Sequence, residues 1–154
     1  MVLLNIIWPV FAMVAVIFVV WFVLYVRRFA HIKQTPPTPE DFADGEAARA
    51  YFRPVELPAN NLANLFEMPV LFFTLVPLLV IAQQATVAQV VLAWLFVGLR
   101  AVHSFIHLGS NKVPARFGAY LASCVVLLAM WIGFGIDMIA AASRYSEVLA
   151  TVQP

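Results

Sequence analysis

The chain has 154 residues, of which 64% are hydrophobic and 11% are charged, and its mean hydropathy is +0.93. Soluble domains are about 45–50% apolar and about 25% charged, so this composition excludes an ordinary soluble domain and indicates a chain that resides in a bilayer. The net charge of +1, with no run of basic residues, gives no indication of nucleic-acid binding. The one cysteine, Cys124, cannot form an internal disulfide and is predicted to pack as a small apolar residue.

Four long apolar runs make up most of the sequence. The first, residues 2–26, is long enough to cross about 30 Å of hydrocarbon at about 1.5 Å per residue. No basic segment precedes it and no small-residue cleavage site follows it, so we expect a retained span and not a signal peptide. The other runs cover residues 58–82, 87–108 and 115–140. The sequence therefore predicts an all-α integral membrane protein, a single domain over residues 1–154 that forms an up-down bundle of four transmembrane helices.

The connector between the first two runs, residues 27–57, is the only substantial polar segment and holds five basic and five acidic residues. Within it, Thr38 is followed by Pro39 and two acidic residues, which is typical of a helix start. We therefore predict a short surface helix from about residue 41 to residue 51, ending before Pro54.

Lysine and arginine residues in the loops predict the orientation. The connector carries five of them, the third loop carries Lys112 with Arg116 beside it, and the second loop carries none. Short loops rich in these residues remain in the cytoplasm. We therefore expect both termini on the non-cytoplasmic side of the membrane.

Two of the runs carry polar residues into the membrane at helical spacing. Asn60, Asn64 and Glu67 lie at i, i+4 and i+7 of the second run, which places them on one face of a continuous helix. Polar groups in lipid cost free energy, so such a face must pair internally or bind a ligand.

The third run has a matching face at i, i+3 and i+7, formed by Arg100, His103 and His107. Counted from the helix ends, Glu67 and Arg100 lie equally deep, at about 12 Å, and this predicts an ion pair between them. Two shallower pairs are predicted above it, Asn64 with His103 and Asn60 with His107.

These six residues allow three interpretations. In the first interpretation they have a structural role, in which their interhelical contacts hold two helices in register. Alternatively, they line a hydrated pocket that opens to the cytoplasm and admits lipophilic molecules through apolar walls. In the third interpretation His103, His107 and Glu67 bind a metal ion, but the sequence has no second cysteine, HExxH motif or further nearby carboxylate, so we predict no metal.

Arg116 begins the fourth run, with Tyr120 and Ser123 at i+4 and i+7. This face is predicted to close the pocket from a third side. The alternative is an arginine that extends to the membrane interface above a packed tyrosine.

The sequence of the second run resembles that of a known family. Residues 60–69, NNLANLFEMP, are similar to the helix 2 signature of the MAPEG family, the membrane-associated proteins of eicosanoid and glutathione metabolism. The core of that signature is Asn-x-x-Glu followed closely by proline. Arg100 and Arg116 are similar to the family's third-helix arginine and to the arginine after the next loop. Four spans and a long first connector also match, so the resemblance covers nearly the whole chain and points to a bacterial-type member.

The resemblance implies a homotrimer in membrane lipid, with glutathione bound between protomers and a lipophilic small molecule as the second substrate. Asn64 and Glu67 match motif positions that hold the tripeptide, and Arg116 matches the arginine beside the thiol. We expect Arg116 and Arg100 to be catalytic. The expected ligand-binding residues are Asn60, Asn64, Glu67, His103, His107 and Tyr120.

Two features depart from the family's pattern. Its glutathione-binding members have an arginine four residues before the motif asparagine, where this chain has Asn60. Tyrosines along their third helix are replaced here by His103, Phe105 or His107. Glutathione carries two carboxylates, so a missing cation weakens its binding site, and protonated histidines would replace some of the lost donors.

The sequence therefore supports two functions. One is a glutathione-dependent transferase or peroxidase, in which an arginine stabilises a thiolate that attacks a lipophilic electrophile. The other is a non-catalytic membrane subunit or lipid-binding protein of the same fold, with the polar residues serving only to hold helices together.

Overall fold

The computed structural model describes the backbone of residues 5–152 and the side chains of residues 5–147. Within those residues the chain is helical, and four stretches are long and apolar enough to cross a membrane. The α-helices are α1 (Ile7–Gln34), α2 (Gly45–Phe52), α3 (Leu57–Asn64), α4 (Met68–Ile81), α5 (Val87–Leu108) and α6 (Val113–Val152). Together α3 and α4 form the second candidate span, and short 3₁₀ turns flank α2 at Pro39–Phe42 and Arg53–Val55.

The first helix extends past its predicted end at residue 26. Charged residues at the membrane boundary do not break a helix, so α1 continues to Gln34 and stops before Pro36, whose ring is incompatible with a continuing helix. Its Arg27 donates from Nη2 to the carbonyl oxygen of Leu108, at 2.7 Å, and so satisfies an acceptor at the C-terminal end of α5.

The second span is not the continuous helix that the spacing predicts. It is interrupted at residues 65–67, where Glu67 has φ −89° and ψ −96° before α4 begins at Met68. Pro69 explains the break, because proline lacks an N–H and its ring conflicts with the carbonyl of the residue four positions earlier, here Leu65. The prediction of one continuous helix through Asn60, Asn64 and Glu67 is therefore wrong, although the three side chains still line one cavity.

The connector folds back onto the end of α1. Thr38 caps only a 3₁₀ turn, and Asp44 caps α2 by accepting hydrogen bonds from the main-chain N–H groups of residues 46 and 47, at 2.9 and 2.8 Å. The ring of His31 lies 3.0 Å from the carbonyl oxygen of Tyr51, measured from Nε2, and the Arg28 guanidinium lies 4.7 Å from the ring centroid of Phe52.

The apolar core lies between the four long stretches, and α5 packs most extensively against α6. Phe72 of α4 stacks on Phe96 of α5 with ring centroids 4.9 Å apart. Large apolar side chains such as Phe105 and Ile132 remain exposed on the outer faces, as expected of surfaces that contact lipid or another protein chain in the membrane.

One polar contact ties α5 to α6 within this apolar core. Gln89 is buried and donates from Nε2 to the carbonyl oxygen of Met130 at 3.0 Å. A Cβ atom at Gly133 would lie 3.2 Å from that same nitrogen. The glycine therefore leaves the space that the glutamine amide occupies.

Candidate functional site

Two adjoining cavities lie where α3, the C-terminal end of α5 and the N-terminal end of α6 meet. The larger, which we call the polar cavity, has a volume of about 510 Å³, within the usual range for small-molecule sites. Its lining residues are Leu57, Asn60, Ala63, Asn64, Glu67, His107, Asn111 and Arg116. It holds one carboxylate, one guanidinium, one imidazole and three side-chain amides.

The smaller cavity, which we call the aromatic cavity, has a volume of about 250 Å³. Its lining residues are Asn64, His103, Val113, Arg116, Phe117 and Tyr120. Asn64 and Arg116 line both cavities, so a molecule in one would lie next to a molecule in the other.

The Arg116 side chain is held in place by the loop before α6. Its Nη1 donates to Oδ1 of Asn111 at 2.7 Å. Asn111 has φ 47°, in the left-handed region that asparagine tolerates better than most residues, and this allows the tight turn between α5 and α6. Of the predicted face on the fourth span, Arg116 and Tyr120 line the aromatic cavity, whereas Ser123 is buried and donates to the carbonyl oxygen of Tyr120 at 2.6 Å.

Arg100 does not form the predicted ion pair with Glu67. The guanidinium is fully buried, and its Nη2 donates to the main-chain oxygen of Asn64 at 2.5 Å. Its Cζ lies 5.3 Å from the ring centroid of Tyr120. Asn64 is the last residue of α3, and its carbonyl accepts the Arg100 bond beside a longer one from the main-chain N–H of Glu67, at 3.5 Å. The helix break leaves the Glu67 side chain exposed on the wall of the polar cavity. Arg100 lines neither cavity.

Neither of the two predicted amide–imidazole pairs forms a hydrogen bond among the described residues. Asn64 donates from Nδ2 to the carbonyl oxygen of Asn60 at 2.8 Å, one turn back along α3. His103 is 3.0 Å from the carbonyl oxygen of Arg116, measured from Nδ1. Each predicted pair nevertheless shares a cavity, with Asn64 and His103 on the aromatic one and Asn60 and His107 on the polar one.

Two buried polar residues near the site were not predicted. Asn61 and Ser104 join α3 to α5 through a bond from the serine Oγ to the asparagine Oδ1, at 3.3 Å. In the sequence, each of these two polar residues lies next to a predicted polar face. Because burying a polar group without a partner costs free energy, a hydrogen bond between Asn61 and Ser104 could have been predicted.

The two histidines do not complete a metal site with an acid. Their ring centroids are 5.6 Å apart, and no group of three or more His, Cys, Asp or Glu residues suited to a metal ion occurs in the described part of the chain. Glu67 therefore does not join His103 and His107 as a third ligand.

The sequence model of the MAPEG family matches residues 6–136, which is most of the chain and includes every residue lining the two cavities. The chain belongs to the MAPEG family. No curated protein and no solved structure matches it significantly.

The helix 2 signature of this MAPEG protein contains the break in the second span. The asparagines of the signature lie in α3, its glutamate lies in the irregular segment, and its proline is the second residue of α4. As a result the Asn64 carbonyl faces Arg100 while the Glu67 carboxylate faces the polar cavity. The motif therefore supplies both a contact between helices and part of a cavity wall.

Proposed function

We propose that this MAPEG protein binds glutathione or a closely related thiol peptide in the polar cavity and uses its sulfur to attack a lipophilic electrophile. The observation that carries the proposal is the position of Arg116. It lines both the polar cavity and the aromatic cavity, so its cation lies where a thiol held in one would meet an electrophile held in the other.

The charges in the polar cavity are consistent with a zwitterionic peptide. Glutathione carries an ammonium, two carboxylates and a thiol. Glu67 is suited to the ammonium, Arg116 to a carboxylate or the thiolate, and the amides of Asn60, Asn64 and Asn111 to peptide groups. One guanidinium cannot serve two carboxylates and a thiolate together, so His107 or a neighbouring protomer would supply the remaining donors.

The chemistry required of the protein is stabilisation of a thiolate. A free thiol has a pKa of about 8.5, and a nearby cation favours its ionised form. Each tenfold increase in the thiolate fraction corresponds to about 1.4 kcal/mol of preferential stabilisation. We assign this role to Arg116. Arg100 lines neither cavity, and its proposed role is to hold α3 against α5 through the Asn64 carbonyl.

The second substrate would enter the aromatic cavity from the bilayer. Val113, Phe117 and Tyr120 give that cavity an apolar wall, and Phe117 is exposed on the outer surface. The same thiolate would reduce a lipid hydroperoxide, so both transferase and peroxidase reactions are within reach of this site.

We further propose that the protein is a homotrimer with both termini on the non-cytoplasmic side of a bacterial inner membrane. In the single chain Asn60 and Glu67 are exposed, so one wall of the polar cavity is open. A neighbouring protomer at this wall would complete it. The lysine and arginine bias of the loops supports the orientation.

The experiment is a conjugation assay on purified protein in lipid nanodiscs, with glutathione and a chlorodinitrobenzene-type electrophile that gives a coloured product. We expect turnover above the uncatalysed rate, and we expect Arg116→Gln to remove most of it. Equal rates for the wild type and Arg116→Gln would contradict the proposed role of this arginine.

A specific observation supports a second candidate, a non-catalytic lipid-binding protein. An apolar groove of about 530 Å³ runs between α1 and α5, and its lining residues are Ala15, Val16, Val19, Val20, Ala101, Val102, Ser104, Phe105 and Leu108. The presence of Asn60 where glutathione-binding relatives have arginine also favours this candidate. Tightly bound lipid in the purified protein, together with no response to glutathione, would support it over the enzyme.

A further inference from the structure

We propose that His103 is the general base that removes the proton from the bound thiol. This inference rests on the proposed function and adds a second group to the activation of the sulfur. It assigns proton removal to an imidazole, whereas Arg116 supplies only electrostatic stabilisation of the resulting thiolate.

The main-chain contact of His103 fixes its tautomer. Nδ1 lies 3.0 Å from the carbonyl oxygen of Arg116. A carbonyl oxygen can only accept a hydrogen bond, so Nδ1 must carry the hydrogen. In the neutral imidazole Nε2 then has the free electron pair and is the basic atom.

Within the described part of the chain, that basic atom has no hydrogen-bond partner. His103 is only 3% exposed, and among residues 5–147 no group forms a hydrogen bond to its Nε2. A buried acceptor without a partner carries an uncompensated desolvation cost, so a ligand that supplies a donor would remove an existing penalty. His103 lines the aromatic cavity together with Arg116, and a thiol S–H placed beside Arg116 would be such a donor.

The arrangement has the features of an activated nucleophile. The base must be close to the group that it deprotonates, and a third group must orient the base. The Arg116 carbonyl orients the imidazole, while the side chain of the same residue lines both cavities, and the thiolate would form where they adjoin. Arg116 would therefore orient the His103 base through its main-chain carbonyl and stabilise the thiolate through its guanidinium.

In the proposed reaction, proton transfer from the thiol to His103 comes before the attack on the electrophile. The thiol S–H bond breaks, its electron pair stays on sulfur, and the proton forms a new N–H bond at Nε2. The thiolate then forms a bond to the electrophilic carbon, and the leaving group departs with its own electron pair. Water takes the proton from the imidazolium, and the neutral tautomer returns.

The charged and titratable groups around His103 come from three elements. Tyr120 and Arg116 lie on α6, Arg100 and His107 lie on α5, and Glu67 lies between α3 and α4. The Arg116 guanidinium favours the thiolate, and both guanidinium groups disfavour a lasting charge on the imidazole. The imidazolium would therefore be short-lived unless the thiolate is present beside it.

The test measures thiolate and proton together. Glutathione is added to the wild-type protein in weakly buffered nanodiscs, thiolate is followed by its ultraviolet absorbance, and released protons are followed with a pH indicator. We expect thiolate to form without net proton release, because Nε2 retains the proton. Release of a full proton for each thiolate formed would overturn the inference, since the proton would then have passed to solvent.

His103→Asn is the informative variant because an asparagine amide can still donate to the Arg116 carbonyl but has no basic atom. We expect its kcat to fall by about 100-fold, the lower range for losing a general base, with glutathione still raising its Tm. His31→Asn is the matched control, since His31 also contacts a main-chain carbonyl but lies outside the site. A His103→Asn variant with wild-type kcat would overturn the inference.

The two proposals fail in different ways. If glutathione does not raise the Tm of the wild type, the proposed function is refuted and this inference with it. If glutathione binds and a full proton is released, only the role of His103 is refuted. Should His103→Asn fail to fold, the proton measurement on the wild type still decides.

Discussion

Arg100 donates from Nη2 to the main-chain oxygen of Asn64 at 2.5 Å and so joins the C-terminal end of α3 to the middle of α5. The Asn64 carbonyl lies at the break in the second span, where the last residues of α3 lack the N–H partners that a continuing helix would supply. Nε and Nη1 of Arg100 have no partner among the described residues. Arg100 therefore contacts the protein backbone, and Arg116 is the arginine that lines the two cavities.

We expect Arg100→Met to lower the free energy of unfolding by about 1–3 kcal/mol, because it removes the charged hydrogen bond between the guanidinium and the half-buried Asn64 carbonyl. The measurement is denaturant unfolding in detergent micelles. Arg49→Met is the control, since Arg49 is exposed on α2 and should tolerate the change. An Arg100→Met variant of wild-type stability that no longer binds glutathione would place Arg100 in the ligand site instead.

Gly133 and Gly135 provide a matched pair for the contact between α5 and α6. A Cβ at Gly133 would lie 3.2 Å from Nε2 of Gln89 and would displace the amide from its bond to Met130, whereas a Cβ at Gly135 meets nothing within 4 Å. We expect Gly133→Ala to be about 1 kcal/mol less stable than Gly135→Ala, the typical value of one hydrogen bond. Thermal unfolding in nanodiscs measures the difference, and equal stability of the two variants would argue against the contact.

Asn111 should affect ligand binding through Arg116. Asn111→Gly removes the Oδ1 that holds the guanidinium, and glycine adopts the left-handed conformation without strain. We expect KM for glutathione to rise about tenfold, or about 1.4 kcal/mol of binding, with little change in Tm. Gln83→Gly is the control, because Gln83 also has a positive φ, 57°, but lies in the loop before α5. If both variants bind glutathione like the wild type, Asn111 does not position Arg116 for the ligand.

The sequence was sufficient to predict the four spans, because hydropathy reports on membrane burial directly. Of the predicted site residues, Asn60, Asn64, Glu67, His103, His107, Arg116 and Tyr120 line one of the two cavities, whereas Arg100 lines neither. The sequence also predicted the approach of Arg116 and Tyr120 to the other spans. These predictions needed only the order of the helices and the length of the α5–α6 loop.

The predicted pairings failed because they assumed one unbroken helix from residue 58 to residue 82. Pro69 and Pro77 both lie in that stretch, yet only Pro69 coincides with a break, and α4 accommodates Pro77 in its interior. Proline alone therefore does not determine where a membrane helix breaks. Once the helix is interrupted at residues 65–67, the angular position of Glu67 can no longer be read from its distance to Asn60 along the chain.

The proposed function requires that the polar cavity around Arg116 binds a thiol peptide. The most direct measurement is the Tm of the purified protein in nanodiscs across a glutathione titration, with Arg116→Gln measured in parallel. We predict that the Tm of the wild type rises steadily with glutathione concentration, as binding to the folded state requires, and that the Tm of Arg116→Gln does not. A wild-type Tm that is unchanged at millimolar glutathione would contradict the account.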